Sequence, residues 1–130
     1  MPQIRISDAA RFLGVSDDTV RRWVSSDALK ASEDASGRMA IDGHELAEFA
    51  RDQAKALPDS GASTSARNRF VGLVTAVKKD TVMAQVELQC GPFRVVSLMS
   101  SEAVDELGLE PGSVAVAIVK STNVIVESLE

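Results

Sequence analysis

The spacing of apolar residues changes once along this chain, and that change constrains the fold more than any other feature. Before residue 56 the apolar residues recur at helical spacing, whereas after residue 63 they mostly alternate with polar residues. The intervening segment, 56–63, is rich in small and turn-forming residues and has no apolar period. We therefore predict two small domains, 1–55 and 64–130, joined by a flexible linker.

Composition and charge place the chain among ordinary soluble proteins. Hydrophobic residues make up 45% of the sequence, enough for a core, and the formal net charge of -5 argues against indiscriminate nucleic-acid binding. Cys90 is the only cysteine, so an intrachain disulfide is impossible and a cytoplasmic location is expected. We expect no membrane partner, because no apolar run approaches a bilayer-spanning length and no secretory signal is predicted.

The first domain has the pattern of a helix, a glycine turn and a capped second helix. Ser7 is a candidate N-cap for a helix through about Phe12, whose Ala10, Phe12 and Leu13 are expected to face a core. Gly14 fits a sharp turn and Ser16 is the next candidate cap. The second helix directs three apolar residues inward: Val20, Trp23 and Val24. This is a helix-turn-helix pattern.

The rest of the first domain predicts a wing and a third helix. The polar segment 30–41 contains Gly37 and is expected to form a small hairpin. Asp42 then caps an amphipathic helix through about Gln53. A winged helix-turn-helix domain is the resulting prediction.

The second domain predicts five strands and one short helix. The strands are Phe70–Lys78, Val82–Gln89, Phe93–Leu98, Val114–Val119 and Asn123–Glu127. The second strand alternates, with Val82, Ala84, Val86 and Leu88 on one face. A helix from Ser101 to Leu107 ends at Gly108. We predict an α+β protein whose C-terminal domain is a five-stranded OB-like β-barrel.

Residues suited to binding an anion occur in three separate places in this second domain. Ser65-Ala66-Arg67-Asn68 precedes the first strand, Ser100 and Ser101 open the helix, and Lys120-Ser121 interrupts the last apolar run. Arginine and lysine supply charge, while hydroxyls and free backbone N–H groups supply directed donors. This set favours a small tetrahedral oxyanion over a metal or an acyl substrate.

The first domain resembles the MerR-like and excisionase-like helix-turn-helix domains. The resemblance rests on Asp8-Ala9-Ala10-Arg11-Phe12-Leu13-Gly14-Val15-Ser16 and Thr19-Val20-Arg21-Arg22-Trp23, and extends weakly to Gly43–Phe49. It implies that the helix from Asp17 to Ser25 enters the DNA major groove. The candidate DNA-binding residues are Ser16, Thr19, Arg21, Arg22 and Arg38.

Two features weigh against strong DNA binding by a single copy. Arg21 and Arg22 could be solvated helix charges that pair with Asp17 and Asp18. The wing carries Glu33 and Asp34 before a single arginine, although such wings are commonly basic, and fewer phosphate contacts weaken affinity. We therefore expect paired half-sites and a homodimer or larger assembly.

The second domain resembles the Mop, or TOBE, domain. The matching residues are Ser65-Ala66-Arg67-Asn68, Phe70-Val71-Gly72, Ser100, Ala103-Val104, Glu106-Leu107-Gly108-Leu109 and Val119-Lys120-Ser121-Thr122. The resemblance implies molybdate or tungstate bound between subunits, with the Ser65/Arg67 segment and Lys120-Ser121 from one and the Ser100 region from its neighbour. Some family members have a hydroxyl where this chain has Ala103, a difference for which Ser101 could compensate. Alternatively, Ser100 is only a helix cap and Lys120 a solvated charge.

Together the two halves predict a molybdate- or tungstate-responsive DNA-binding transcriptional regulator. Two alternatives stay open: a molybdate storage or buffering protein, and a DNA-binding oligomer whose barrel senses nothing. An enzyme is not expected. The single histidine, His44, lies in the predicted third-helix cap, and Cys90 adjoins a turn without a neighbouring histidine. No metal is expected beyond the oxyanion itself.

Overall fold

The computed structural model describes residues 2–54 and 64–129. The chain divides into two units, Met1–Ala56 and Leu57–Glu130, and each has its own core. The predicted linker, 56–63, lies outside the described residues. Within the described ranges, no helix is long and apolar enough to cross a membrane.

The N-terminal unit consists of three helices and a small antiparallel sheet. Its elements are β1 (Gln3–Arg5), α1 (Ile6–Leu13), α2 (Asp17–Ser25), β2 (Ser32–Glu33), β3 (Met39–Asp42) and α3 (Gly43–Gln53). The strand order is β1-β3-β2. The hairpin predicted within 30–41 is present as β2 and β3, and the unpredicted β1 extends it to three strands.

Side-chain caps define the second and third helices. Ser16 accepts a hydrogen bond from the Thr19 amide at 3.2 Å, and Asp42 accepts one from the Glu45 amide at 3.3 Å, which confirms both predicted caps. The predicted Ser7 cap is wrong. Because β1 runs directly into α1, Arg5 occupies the cap position and Ser7 lies inside the helix.

The core of this unit follows one stripe of α1. Ile6, Ala9 and Ala10 are buried and Leu13 packs beside them, which is the i, i+3, i+4, i+7 pattern of one helix face. Phe12 lies off that stripe and is 60% exposed, so its predicted core position is wrong. The wider buried cluster adds Val20, Leu29, Ile41 and Leu46.

The C-terminal unit is a curled antiparallel sheet with one helix. Its elements are β4 (Asn68–Lys79), β5 (Met83–Cys90), β6 (Phe93–Ser100), α4 (Ser101–Leu107), β7 (Val114–Val119) and a 3₁₀ turn (Ser121–Asn123). The strand order is β6-β5-β4-β7, and a register shift between Val74 and Ala76 interrupts β4. Such irregularities bend a strand and increase its twist, which accounts for the curl.

The inward face of β5 is as predicted except at its beginning. Ala84, Val86, Leu88 and Cys90 are buried, in the alternation of a strand with one face on a core. Val82 precedes the strand and is 67% exposed, so its predicted place on that face is wrong. Gly108 adopts the left-handed conformation that ends α4.

The predicted fifth strand, Asn123–Glu127, is not a strand in this structure. The chain leaves the sheet at Lys120 and makes the 3₁₀ turn, so the residues after it pair with no strand among those described. Ile125 and Val126 are 94% and 87% exposed. The described sheet therefore has four strands, and β6 and β7 are its edges.

Candidate functional site

The first candidate anion-binding segment, Ser65-Ala66-Arg67-Asn68, is held against β7 by its asparagine. Asn68 donates from Nδ2 to the Val119 carbonyl at 3.0 Å, which fixes the start of β4. The exposed Arg67 donates to the Thr64 carbonyl at 3.4 Å, and the structure gives it no carboxylate partner among the described residues. Arg67 is therefore a free positive charge on a fixed strand end.

The second segment lies beside the first because of the strand register. Asn68 pairs with Val119 in the antiparallel β4–β7 ladder, so one further step brings Arg67 next to Lys120. Lys120 is exposed, and Ser121 begins the 3₁₀ turn. The first amides of such a turn have no acceptor inside it. Two cations, a hydroxyl and backbone donors thus gather at one end of the sheet.

The third segment lies at the opposite end of the same sheet. Ser100 pairs with Met83 across β5 and β6, beside the Lys79 end of β4. Because β4 has 12 residues at a rise of about 3.3 Å, the path along the strand from Arg67 to the level of Ser100 is roughly 40 Å. One copy of the chain does not bring these groups together.

The two serines of this third segment do different things. Ser100 accepts from the Ala103 amide at 3.0 Å as the cap of α4 and is exposed. The Ser101 side chain is buried, with its hydroxyl 2.7 Å from the Asp80 carbonyl and 3.0 Å from the Met83 carbonyl. Ser101 thus ties α4 to the β4–β5 turn, whereas Ser100 keeps an oxygen at the surface.

On the helix-turn-helix side, α2 presents a small polar network. The Ser16 and Thr19 hydroxyls are 3.0 Å apart, and Arg22 donates to the Thr19 hydroxyl at 3.1 Å. Arg21 lies 3.7 Å from Asp18, so the surface ion pair expected under the alternative interpretation is present for Arg21. Arg22 is thereby oriented by a neutral hydroxyl and keeps its charge for another partner.

The hairpin is dominated by one carboxylate. Asp34 accepts from the Ser36 hydroxyl at 2.7 Å and from the Arg38 amide at 3.0 Å, and Arg5 lies 3.5 Å away. These hydrogen bonds, that from the Ser36 side chain above all, lower the pKa of Asp34 to about 2. The Asp34 carboxylate thus organises the turn and pairs with Arg5, which leaves the exposed Arg38 as the only basic side chain of the hairpin.

Other chemically versatile residues have structural partners. His44 lies 3.2 Å from Glu48 one helical turn on, and Cys90 is buried in the core of the C-terminal unit. Among the described residues, no group of three or more potential ligands could hold a metal ion.

One basic residue of this region was missed by the sequence reasoning. Arg69 lies on β4 two residues after Arg67. Because side chains two residues apart in a strand lie on the same face, the sequence could have placed Arg69 beside Arg67.

Comparison with known proteins gives a match for each unit. The helix-turn-helix domain family matches residues 4–54 and the TOBE domain family matches residues 64–126. Molybdenum-pterin-binding protein 3 of Clostridium pasteurianum is 42% identical over 65 residues, which are 49% of this chain and 96% of that protein. The chain belongs to the TOBE domain family. The resemblances described above are thus confirmed for both halves.

The TOBE domain also resembles part of a longer protein and the whole of a small one. The molybdenum transport protein ModE of Herbaspirillum seropedicae is 38% identical over 63 residues, which are 48% of this chain but 23% of that protein. The solved structure of a molybdate-binding protein from Sporomusa ovata is 30% identical, with a TM-score of 0.50 over 52% of this chain and all of that chain. The TOBE domain here therefore has the fold of a known molybdate-binding protein.

Proposed function

We propose that this protein is a DNA-binding regulator whose TOBE domain binds molybdate or tungstate between two copies of the chain. The observation that carries the proposal is the strand register, which gathers Arg67, Lys120 and Ser121 at one end of the sheet and leaves Ser100 at the other. A site made of all four needs the Ser100 end of a second copy.

The chemistry of the gathered groups suits a tetrahedral dianion. The charges of Arg67 and Lys120 balance two negative charges, and hydroxyl and amide donors direct hydrogen bonds to separate oxygens. Ser100 of a second copy would add its hydroxyl. Ser101 contributes indirectly in this arrangement, since its buried hydroxyl holds the α4 end in place. Ala66 and Asn68 shape the loop, Asn68 through its bond to Val119.

The open sheet supports an assembly of at least two copies. A groove of about 450 Å³ lies between β6 and β7, lined by apolar residues of both edges and of the core behind them, such as Val95, Met99, Ala115 and Ala117. The segment 124–129 of the same chain is apolar in part and exposed. In our proposal this segment of a second copy fills the groove as the fifth strand, which covers both edges and completes the predicted barrel.

DNA binding is assigned to α2 in this proposal. Arg22 and Thr19 share a hydrogen bond on an exposed side of the helix, opposite the buried Val20. Arginine in this position can contact a guanine edge or a phosphate. Because Arg38 is the single basic residue of the segment 31–41, affinity in this proposal comes from two linked half-sites rather than from one wing.

Anion binding and DNA binding are coupled only if the anion has different affinities for assemblies that do and do not fit the operator. In our proposal the anion does this by fixing the spacing of two α2 helices. A cytoplasmic location remains a prediction.

Calorimetric titration with molybdate, in sulfate-free buffer and with sulfate as the control anion, tests whether the TOBE domain binds the oxyanion. Saturable binding of molybdate with little heat from sulfate is expected. Arg67→Ala and Lys120→Ala should each abolish binding, whereas Arg51→Ala, at an exposed helix position, should not. Normal affinity in both site variants would refute the assignment.

Selection of bound sequences from a random DNA pool tests whether the helix-turn-helix domain binds DNA. We expect enrichment of a two-fold repeated site, and its affinity should depend on molybdate. Arg22→Ala should remove DNA binding and leave the molybdate titration unchanged. If no sequence is enriched with or without the anion, the regulator proposal fails.

A storage or buffering role is the second candidate, and one observation favours it. The region shared with this chain makes up 96% of molybdenum-pterin-binding protein 3, so that protein has the TOBE region without a helix-turn-helix domain in the same chain. Tight molybdate binding together with no DNA selection would support storage. An oligomer that binds DNA but no anion would support the non-sensing barrel.

A further inference from the structure

Arg69 has a buried donor with no acceptor. Its Nε is the one buried side-chain nitrogen or oxygen without a hydrogen-bond partner among the described residues. Arg5, Arg11, Arg21 and Arg94 each form an ion pair with a carboxylate, but Arg69 forms none within the described ranges. An unsatisfied donor on a charged group is costly, so a partner from outside this single chain is expected.

Arg69 lies on the same face of the sheet as the two cations of the proposed oxyanion site. In the β4–β7 ladder Arg69 pairs with Ile118, so period-two alternation puts Arg69 on the same face as Arg67 and Lys120. Two strand residues separate the α-carbons of Arg69 and Arg67 by about 7 Å. Three cations therefore share one face at one end of the sheet.

The surrounding sequence offers these cations no negative charge. Neither 64–74 nor 113–123 contains an aspartate or glutamate, although the chain as a whole has a formal net charge of -5. On β5 and β6, Glu87 is already paired with Arg94. A concentration of three unpaired cations in an acidic protein fits an anion of more than one charge.

The geometry points to Arg69 as a third cation of the oxyanion site, which makes the site select a tetrahedral dianion over a tetrahedral monoanion. This inference rests on the proposed function and adds charge selectivity to it. Perrhenate is the appropriate probe, because it has the tetrahedral shape of molybdate and tungstate but carries one negative charge. Discrimination between perrhenate and molybdate therefore reports charge rather than shape.

The expected effect follows from Coulomb's law. For a charge placed about 7 Å from the anion, the spacing of Arg67 and Arg69 along β4, and a dielectric close to that of water, the law gives roughly eightfold stronger binding of a dianion and about threefold of a monoanion. Arg69→Gln should therefore weaken molybdate binding about eightfold and perrhenate binding about threefold at low ionic strength. Both effects should shrink as salt is added. Arg69→Lys should keep most of the affinity, because it keeps the charge.

Calorimetric titration of the full chain with each anion, alongside sedimentation to follow assembly, is the test. Arg51→Gln is the matched control, because it removes the same charge from an exposed position in the other unit. The proposal is supported if Arg69→Gln lowers molybdate affinity more than perrhenate affinity with the assembly mass unchanged. Equal affinities in Arg69→Gln and Arg51→Gln would overturn it while leaving the oxyanion site standing.

Two other results would also count against it. A change in assembly mass in Arg69→Gln would show that its missing acceptor is a group of a second copy. Absence of molybdate binding by the unaltered protein would remove the proposed function and this inference together.

Discussion

Among the described glycines, Gly72 is the one at which an added carbon meets the tightest contacts. A β-carbon there would lie 2.5 Å from the Gln89 carbonyl oxygen, 2.6 Å from the Cys90 Sγ and 2.9 Å from the Gln89 carbonyl carbon. All three distances are shorter than any ordinary carbon contact. Because two of the three atoms belong to the backbone of β5, Gly72→Ala cannot be accommodated by turning one side chain.

The cost of Gly72→Ala can be estimated from overpacking. Extra methylenes forced into a packed core cost about 1–3 kcal/mol, and a backbone clash favours the upper half of that range. For a domain of this size each kcal/mol lowers the midpoint by about 4–8 °C. We therefore expect the C-terminal unit to melt roughly 10–20 °C lower, with Gly91→Ala as the control. Gly91 has a φ of 59° but no atom within 4 Å of the added carbon, so only backbone strain operates there.

Urea and thermal unfolding, followed by two probes, separate the units. Trp23 is the only tryptophan and belongs to the N-terminal core, so its fluorescence transition should stay unchanged in Gly72→Ala. Far-ultraviolet circular dichroism should show the lowered transition of the sheet. Adding Cys90→Ala should recover only part of the loss, because the Gln89 contact persists. A midpoint for Gly72→Ala equal to that of Gly91→Ala would refute the reasoning.

Three further predictions concern stability. Because hydrogen bonds lower the pKa of Asp34 to about 2, the stability it contributes is complete above its usual value of 3.8 and is lost as the pH falls toward 2. Urea midpoints read from Trp23 fluorescence should therefore fall less over that window in Asp34→Asn. Ile41→Ala, at a fully buried position, should cost about 2–5 kcal/mol in urea unfolding, whereas Phe12→Ala should cost far less because Phe12 is 60% exposed. Ser101→Ala should destabilise the C-terminal unit by about 1 kcal/mol in thermal unfolding, since it removes the buried hydroxyl that donates to the Asp80 carbonyl, and exceed the cost of Ser100→Ala.

Local chemistry was readable from the sequence wherever one short segment decides the structure. The caps at Ser16 and Asp42 and the left-handed residue at Gly108 need only a side chain and its own helix end. The alternation from Ala84 to Leu88 needs only one buried face. In each case the interaction spans few residues, so the sequence carries the whole signal.

Errors arose where a neighbouring element decides the outcome. Ser7 is a sound cap by type, but pairing of β1 with β3 carries the strand up to Ile6 and places the helix start earlier. Phe12 is apolar, yet the stripe set by Ile6, Ala9 and Ala10 turns it outward. Asn123–Glu127 has strand composition, but a strand needs a partner edge, and Lys120 turns the chain away from both edges of its own sheet.

The sequence by itself determined the division into two units, the family of each half and the residue types of the candidate oxyanion site, because these follow from period, motif and charge. Only the tertiary structure decided which of those residues meet. The β4–β7 register joins Arg67 and Lys120 and adds Arg69 to their face, and the length of β4 separates them from Ser100. Pairing between strands distant in sequence sets that geometry, and no local pattern encodes it.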